Sequence, residues 1–175
     1  MHRLEFKPNY TSDGKLQSLT AVFTWKDRPE MEEFFPNINM IIITRDQTLS
    51  HLHHAPELGI KLPENFNLNT YEELQKSEKV KYAKQIIDQE IINNYMFAIA
   101  DALNGQSVDI CPGIAGEQEI NVILFLKEIQ SGDFIFSVVR ETGQHITSYP
   151  MTAERLKSIA SASKPMWVWN TRKFI

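Results

Sequence analysis

Period-two alternation marks the start of the chain. Leu4, Phe6 and Pro8 alternate with charged residues, Asp13-Gly14 supplies turn chemistry, and Ala21, Phe23 and Trp25 alternate within Leu16 to Trp25. Apolar side chains on one face of two pleated runs joined by a glycine turn predict a hairpin. Asp27-Arg28-Pro29-Glu30 reads as a cap and a short helical turn ending at Pro36. Ile38 to Thr44, with Met40-Ile41-Ile42-Ile43, is short, β-branched and nearly continuous, as a buried strand should be.

Pro56, Gly59 and Pro63 interrupt residues 46–69, and Asn65, Asn67 and Asn69 add turn formers, so an irregular segment is expected there. Thr70 followed by Glu73 has the form of a capping box, in which hydroxyl and carboxylate each satisfy a free N–H of the first turn. Ala83, Ile87, Ile91, Tyr95, Ile99 and Leu103 recur at four-residue spacing and predict one main helix. It should break near Ser77–Lys79 and stop at Asn104-Gly105.

A meander follows. Ile120 to Ile129, Phe134 to Arg140 and His145 to Tyr149 read as strands, separated by the turns Gln130-Ser131-Gly132-Asp133 and Glu141-Thr142-Gly143. Thr152 should cap a second helix, with Met151 and Leu156 as a hydrophobic staple and Lys164-Pro165 as its end. Met166 to Ile175 reads as a last strand with Trp167 and Trp169 on one face. The expected fold class is α+β, an antiparallel or mixed sheet of about six to seven strands with two helices packed on one face. Residues 1–175 are expected to form one domain.

Composition allows the pattern to be read as a core, because 42% apolar and 23% charged residues is a globular balance. The formal net charge of −4 implies neither a nucleic-acid binder nor a polyanion mimic. Its distribution is uneven. Residues 107–150 hold six acids, among them Glu117, Glu119 and Glu141, against Lys127 and Arg140; residues 151–175 hold five bases against Glu154. The simple expectation is that the basic tail neutralises the acidic segment. Cys111 is the one cysteine, which excludes an intramolecular disulfide. The first residues lack a signal-peptide apolar run, and stretches such as Val122 to Leu126 are too short to cross a bilayer, so a cytoplasmic location is expected.

Three imidazoles stand together at His51, His53 and His54, with Glu57 close by. Neutral imidazole suits a late transition metal, and Asp46, Glu57 or His145 could complete a ligand set, although no His-Glu-x-x-His spacing is present. His145-Ile146-Thr147 on a strand could flank a phosphate, but the phosphoesterase device needs a second copy. Cys111 has acidic neighbours, which oppose thiolate formation, and reads as a buried structural residue. Gly113-Ile114-Ala115-Gly116 lacks the Lys-Ser/Thr of a phosphate loop. Trp167 and Trp169 beside Arg172 and Lys173 could stack single-stranded nucleic acid, but alternate tryptophans more often pack under a helix.

Glu30-Met31-Glu32-Glu33-Phe34-Phe35 joins acids to two rings, the form of a docking patch with aromatic anchors and an acidic rim. No constellation of catalytic residues stands out. The leading expectation is therefore a non-enzymatic macromolecule-binding protein without a cofactor. Its concrete form is a small cytoplasmic inhibitor, such as a toxin-neutralising immunity protein or a phage-encoded antagonist. It would present Glu30, Glu32, Glu33, Phe34 and Phe35, the acidic residues Glu117 and Glu119, and the histidine loop to a basic protein partner. The alternative is a hydrolase of phosphoesters that holds a divalent transition metal on His51, His53 and His54. A second alternative is single-stranded nucleic-acid binding, which the mild acidity disfavours.

Overall fold

The computed structural model describes residues 3–25, 29–115, 120–130 and 132–162. Its strands are β1 (Lys7–Tyr10), β2 (Leu16–Val22), β3 (Met40–Thr44), β4 (Val108–Ala115), β5 (Ile120–Glu128), β6 (Phe134–Arg140) and β7 (His145–Met151). Its helices are α1 (Pro29–Glu32), α2 (Arg45–Leu49), α3 (Leu68–Glu72), α4 (Lys76–Ile86), α5 (Gln89–Ala102) and α6 (Ala153–Ala162). The α+β class holds, but the single sheet does not. The strands form two antiparallel sheets, ordered β1-β2-β3 and β4-β5-β6-β7.

The sheets meet where β3 passes the β6–β7 turn. Ile42 and Gln144 form one isolated bridge, and the Ile42 N–H donates to the Gly143 carbonyl at 2.9 Å. A turn, rather than a strand, lies against β3, so the ladder cannot continue. Gly143 has φ +95°, a conformation that suits glycine.

β5 explains its own continuous apolar run. Ile123 and Phe125 share a cluster with Leu19, Ile41, Ile92 and Ile99, so this cluster joins both sheets and α5. Val122, Leu124 and Leu126 point the other way, into a second cluster with Phe136, Met151 and Leu156 of α6. Both faces of the second sheet are covered, which corrects the expectation of two helices on one face. The expected start of α6 is present: Thr152 Oγ1 accepts from the Arg155 N–H at 3.1 Å, and Met151 and Leu156 are both buried.

β4 had no counterpart in the sequence reading. Pro112 and Gly113 look like punctuation, yet β4 is the outer strand of its sheet, where a missing N–H is tolerated. Gly113 permits close packing, since a β-carbon there would stand 2.5 Å from Leu124 Cδ1. Cys111 is buried.

Residues 46–69 are irregular only in part: 59–67 carry no helix or strand, but the first part is ordered into short helical turns. Thr44 caps α2 by accepting from the Gln47 N–H at 3.3 Å, and two short 3-10 turns follow at Leu52–His54 and Pro56–Leu58. The long helix is also corrected. Asn67, not Thr70, caps α3 by accepting from the Thr70 N–H at 3.1 Å, so no capping box forms. The breaks fall at residues 73–75 and 87–88 instead of 77–79. At the second, Ile87 turns extended (φ −83°, ψ 124°) with its side chain in the core, and Asp88 takes the N-cap position of α5. The expected last strand lies outside the described residues. Among the described residues no helix is long and apolar enough to cross a membrane.

Candidate functional site

Adjacent phenylalanines after α1 have opposite fates. The Phe34 and Phe35 N–H groups both donate to the Met31 carbonyl at 3.1 Å, which closes the turn. Met31 and Phe35 are buried. The Trp25 indole N–H donates to the Phe35 carbonyl at 3.1 Å, and the two rings lie 6.1 Å apart. Phe35 is thus a core anchor of this turn and not a surface contact. Phe34 points outward and is 46% exposed.

The β6–β7 turn stands beside it. Phe34, Phe35, Pro36, Asn37, Glu141 and Thr142 line a concavity of about 400 Å³. Glu32, Glu33 and Glu141 are exposed; Glu141 comes to the concavity from a distant segment, and Glu32 and Glu33 precede Phe34 in the chain. The docking of Gly143 on β3 is what brings Glu141 here. Glu30 lies on the backbone of α1. Glu117 and Glu119 lie outside the described residues.

The histidines form a polar seam between α2, the 3-10 turns and β7. His51 Nδ1 lies 3.0 Å from Ser50 Oγ and 3.2 Å from the Gln47 carbonyl. Gln47 ties this region to its neighbours: its Nε2 donates to the Ile146 carbonyl at 3.3 Å, and Lys76 Nζ donates to its Oε1 at 2.6 Å. The His53 and His54 rings touch at 4.0 Å, and His54 stacks on Tyr149 at 4.7 Å. Below them His145 Nε2 pairs with Ser148 Oγ at 2.8 Å, and Ser148 Oγ pairs with Ser137 Oγ at 2.7 Å. All three of these residues are buried. Tyr95 Oη donates to the His51 carbonyl at 2.9 Å, and Tyr71 Oη accepts from the Leu52 N–H at 3.0 Å.

Burial sets the charge of this seam. It pushes His145 down to about 3, with His51 adding to the effect, and pushes His51 down to about 4 against the pull of the Gln47 carbonyl. His53 is lowered as well, by burial first and His54 second. The Thr147 backbone opposes the His145 shift, although His145 Nδ1 meets hydrogen-bond geometry with no atom. His51, His53 and His145 are therefore neutral at pH 7. The rings pack side by side, and among the described residues no group of three or more His, Cys, Asp or Glu side chains is arranged to hold a metal ion. The seam can clamp the 3-10 turns to β7.

Glu141 and Asn37 belong to the notch, and neither was tied to the 30–35 patch from sequence. The non-local contact of Gly143 and Gln144 with β3 brings them together. Comparison of the chain with protein families, curated proteins and solved structures found no match.

Proposed function

We propose that this chain is a non-enzymatic docking protein whose Phe34 notch receives a bulky apolar side chain from a basic protein partner. The carrying observation is the concavity of about 400 Å³ in which half-exposed Phe34 and Glu141 share the lining, with exposed Glu32 and Glu33 directly before Phe34 in the chain. A ring beside a pocket supplies most of the affinity of such a contact, while charges at the rim set encounter rate and partner choice. The rigid support is Phe35, whose carbonyl is fixed by Trp25. This geometry suits an inhibitor that covers a positively charged surface, of the toxin-neutralising or phage-encoded antagonist kind in a cytoplasmic setting.

The test is a titration followed by backbone amide NMR. The probe is a lysine-rich peptide with one central leucine, and the control is the same peptide with glutamate for lysine. Shifts should concentrate on Phe34, Asn37, Glu141 and Thr142, and the control should produce none there. Equal shifts with both peptides, or shifts confined to other faces, would reject the reading.

A further inference from the structure

We propose that the depression between α2 and α4 binds a ligand carrying two or more linked phosphate groups. Asp46, Gln75, Lys76, Ser77, Val80, Lys81 and Lys84 line it, and its volume is about 660 Å³, within the range of small-molecule sites. Lys76, Val80 and Lys84 are four apart on α4, as are Ser77 and Lys81, so these side chains share a broad face.

Two smaller depressions continue it. Lys84 also lines the second, beside Lys15 and Arg45, and Arg45 and Asp46 line the third. Along this path five cations, Lys15, Arg45, Lys76, Lys81 and Lys84, meet two carboxylates, Asp13 and Asp46. The excess is positive in a chain whose net charge is −4.

Asp46 is shared. Its Oδ1 lies 2.9 Å from Lys84 Nζ and 3.8 Å from Arg45 Nε, and that buried Nε makes no hydrogen bond. Lys81 has no charged partner among the described residues. The cations are therefore under-neutralised, with one carboxylate standing where a ligand anion would compete. No aromatic ring lines any of the three depressions, so recognition runs through ammonium groups and hydroxyl donors and not through stacking. Lysine ammoniums act on phosphate as point charges. Lys76 and Lys84 are eight residues apart, about 12 Å along a helix, so a single phosphate cannot serve both ends.

Calorimetric titration with sodium tripolyphosphate tests this, with citrate as a carboxylate control and a nucleoside triphosphate as a second arm. Tripolyphosphate should bind saturably and about tenfold more tightly than citrate. The double variant Lys76→Ala/Lys81→Ala should weaken it about tenfold, and Phe34→Ala should leave it unchanged. Asp46→Asn should tighten it severalfold by removing the competing carboxylate, an outcome that misfolding cannot imitate. Tighter binding of the nucleoside triphosphate would identify a nucleotide as the source, and equal binding would identify the phosphate chain alone; either supports the site. No saturation at about 1 mM, citrate binding as tight as tripolyphosphate, or indifference to both substitutions would overturn it.

Discussion

Gly143 sits so close to Met40 that a β-carbon on Gly143 would stand 1.8 Å from the Met40 carbonyl oxygen. This contact fixes the β6–β7 turn on the edge of β3, and through it the position of Glu141 beside Phe34. Gly143→Ala meets both the clash and a φ of +95°. The variant should lose about 2 kcal/mol or more of stability, read as a lower urea midpoint. Its amide signals at Phe34 and Asn37 should also move. An unchanged midpoint would show that the turn is not pinned.

Phe34 and Phe35 should separate stability from binding. Phe35 is buried against Trp25, so Phe35→Ala should cost about 3–5 kcal/mol in urea unfolding. Phe34→Ala should change stability by no more than about 0.5 kcal/mol, because the ring is half in solvent, while abolishing the peptide-induced shifts. Equal destabilisation by the two would place both rings in the core.

Acid should weaken the fold through its neutral histidines. In the unfolded chain His51 and His145 protonate near 6.5, but in the fold only near about 4 and about 3. Between those values the unfolded state binds more protons, so their stabilisation is complete above pH 6.5 and is lost as pH falls toward 4 and 3. Lys76, Lys79, Glu57 and Glu72 face the same seam. Urea midpoints measured from pH 7 to pH 4.5 should therefore fall. His145→Gln cannot take up that proton, and its stability should fall less steeply, by up to about 1.4 kcal/mol per pH unit. Parallel profiles for wild type and variant would contradict the assignment.

The cap of α6 gives a local check. Thr152→Ala removes the hydroxyl that accepts from the Arg155 N–H and should cost about 1 kcal/mol. Thr152→Ser should restore most of it. Loss with both substitutions would mean the methyl, not the hydroxyl, matters.

Local chemistry was readable in the sequence, and non-local pairing was not. The bounding turns located Phe134 to Arg140, and Thr152 with Met151 and Leu156 marked the start of α6, because turns and caps depend on neighbours a few residues away. The split into two sheets depends on Gly143 meeting Met40, about a hundred residues distant, and no period reports that. β4 was hidden because Pro112 and Gly113 normally punctuate, and only its outer position excuses them. Periodicity ran through Ile87, but the chain breaks there so that Asp88 can begin α5. At the notch, two consecutive phenylalanines in a turn give no alternation from which to read which one faces the core. At the seam, the spacing of His51, His53 and His54 suited ligation, yet in the 3-10 turn the His53 and His54 rings lie tilted against each other and His54 stacks on Tyr149.

A charge-swap titration bears most directly on the docking role. The affinity of the lysine-rich peptide should fall about tenfold or more for Glu141→Lys, and a peptide with glutamate in place of its lysines should bind that variant better than it binds wild type. Wild-type affinity retained by Glu141→Lys for the basic peptide, with no gain for the acidic one, would contradict the account.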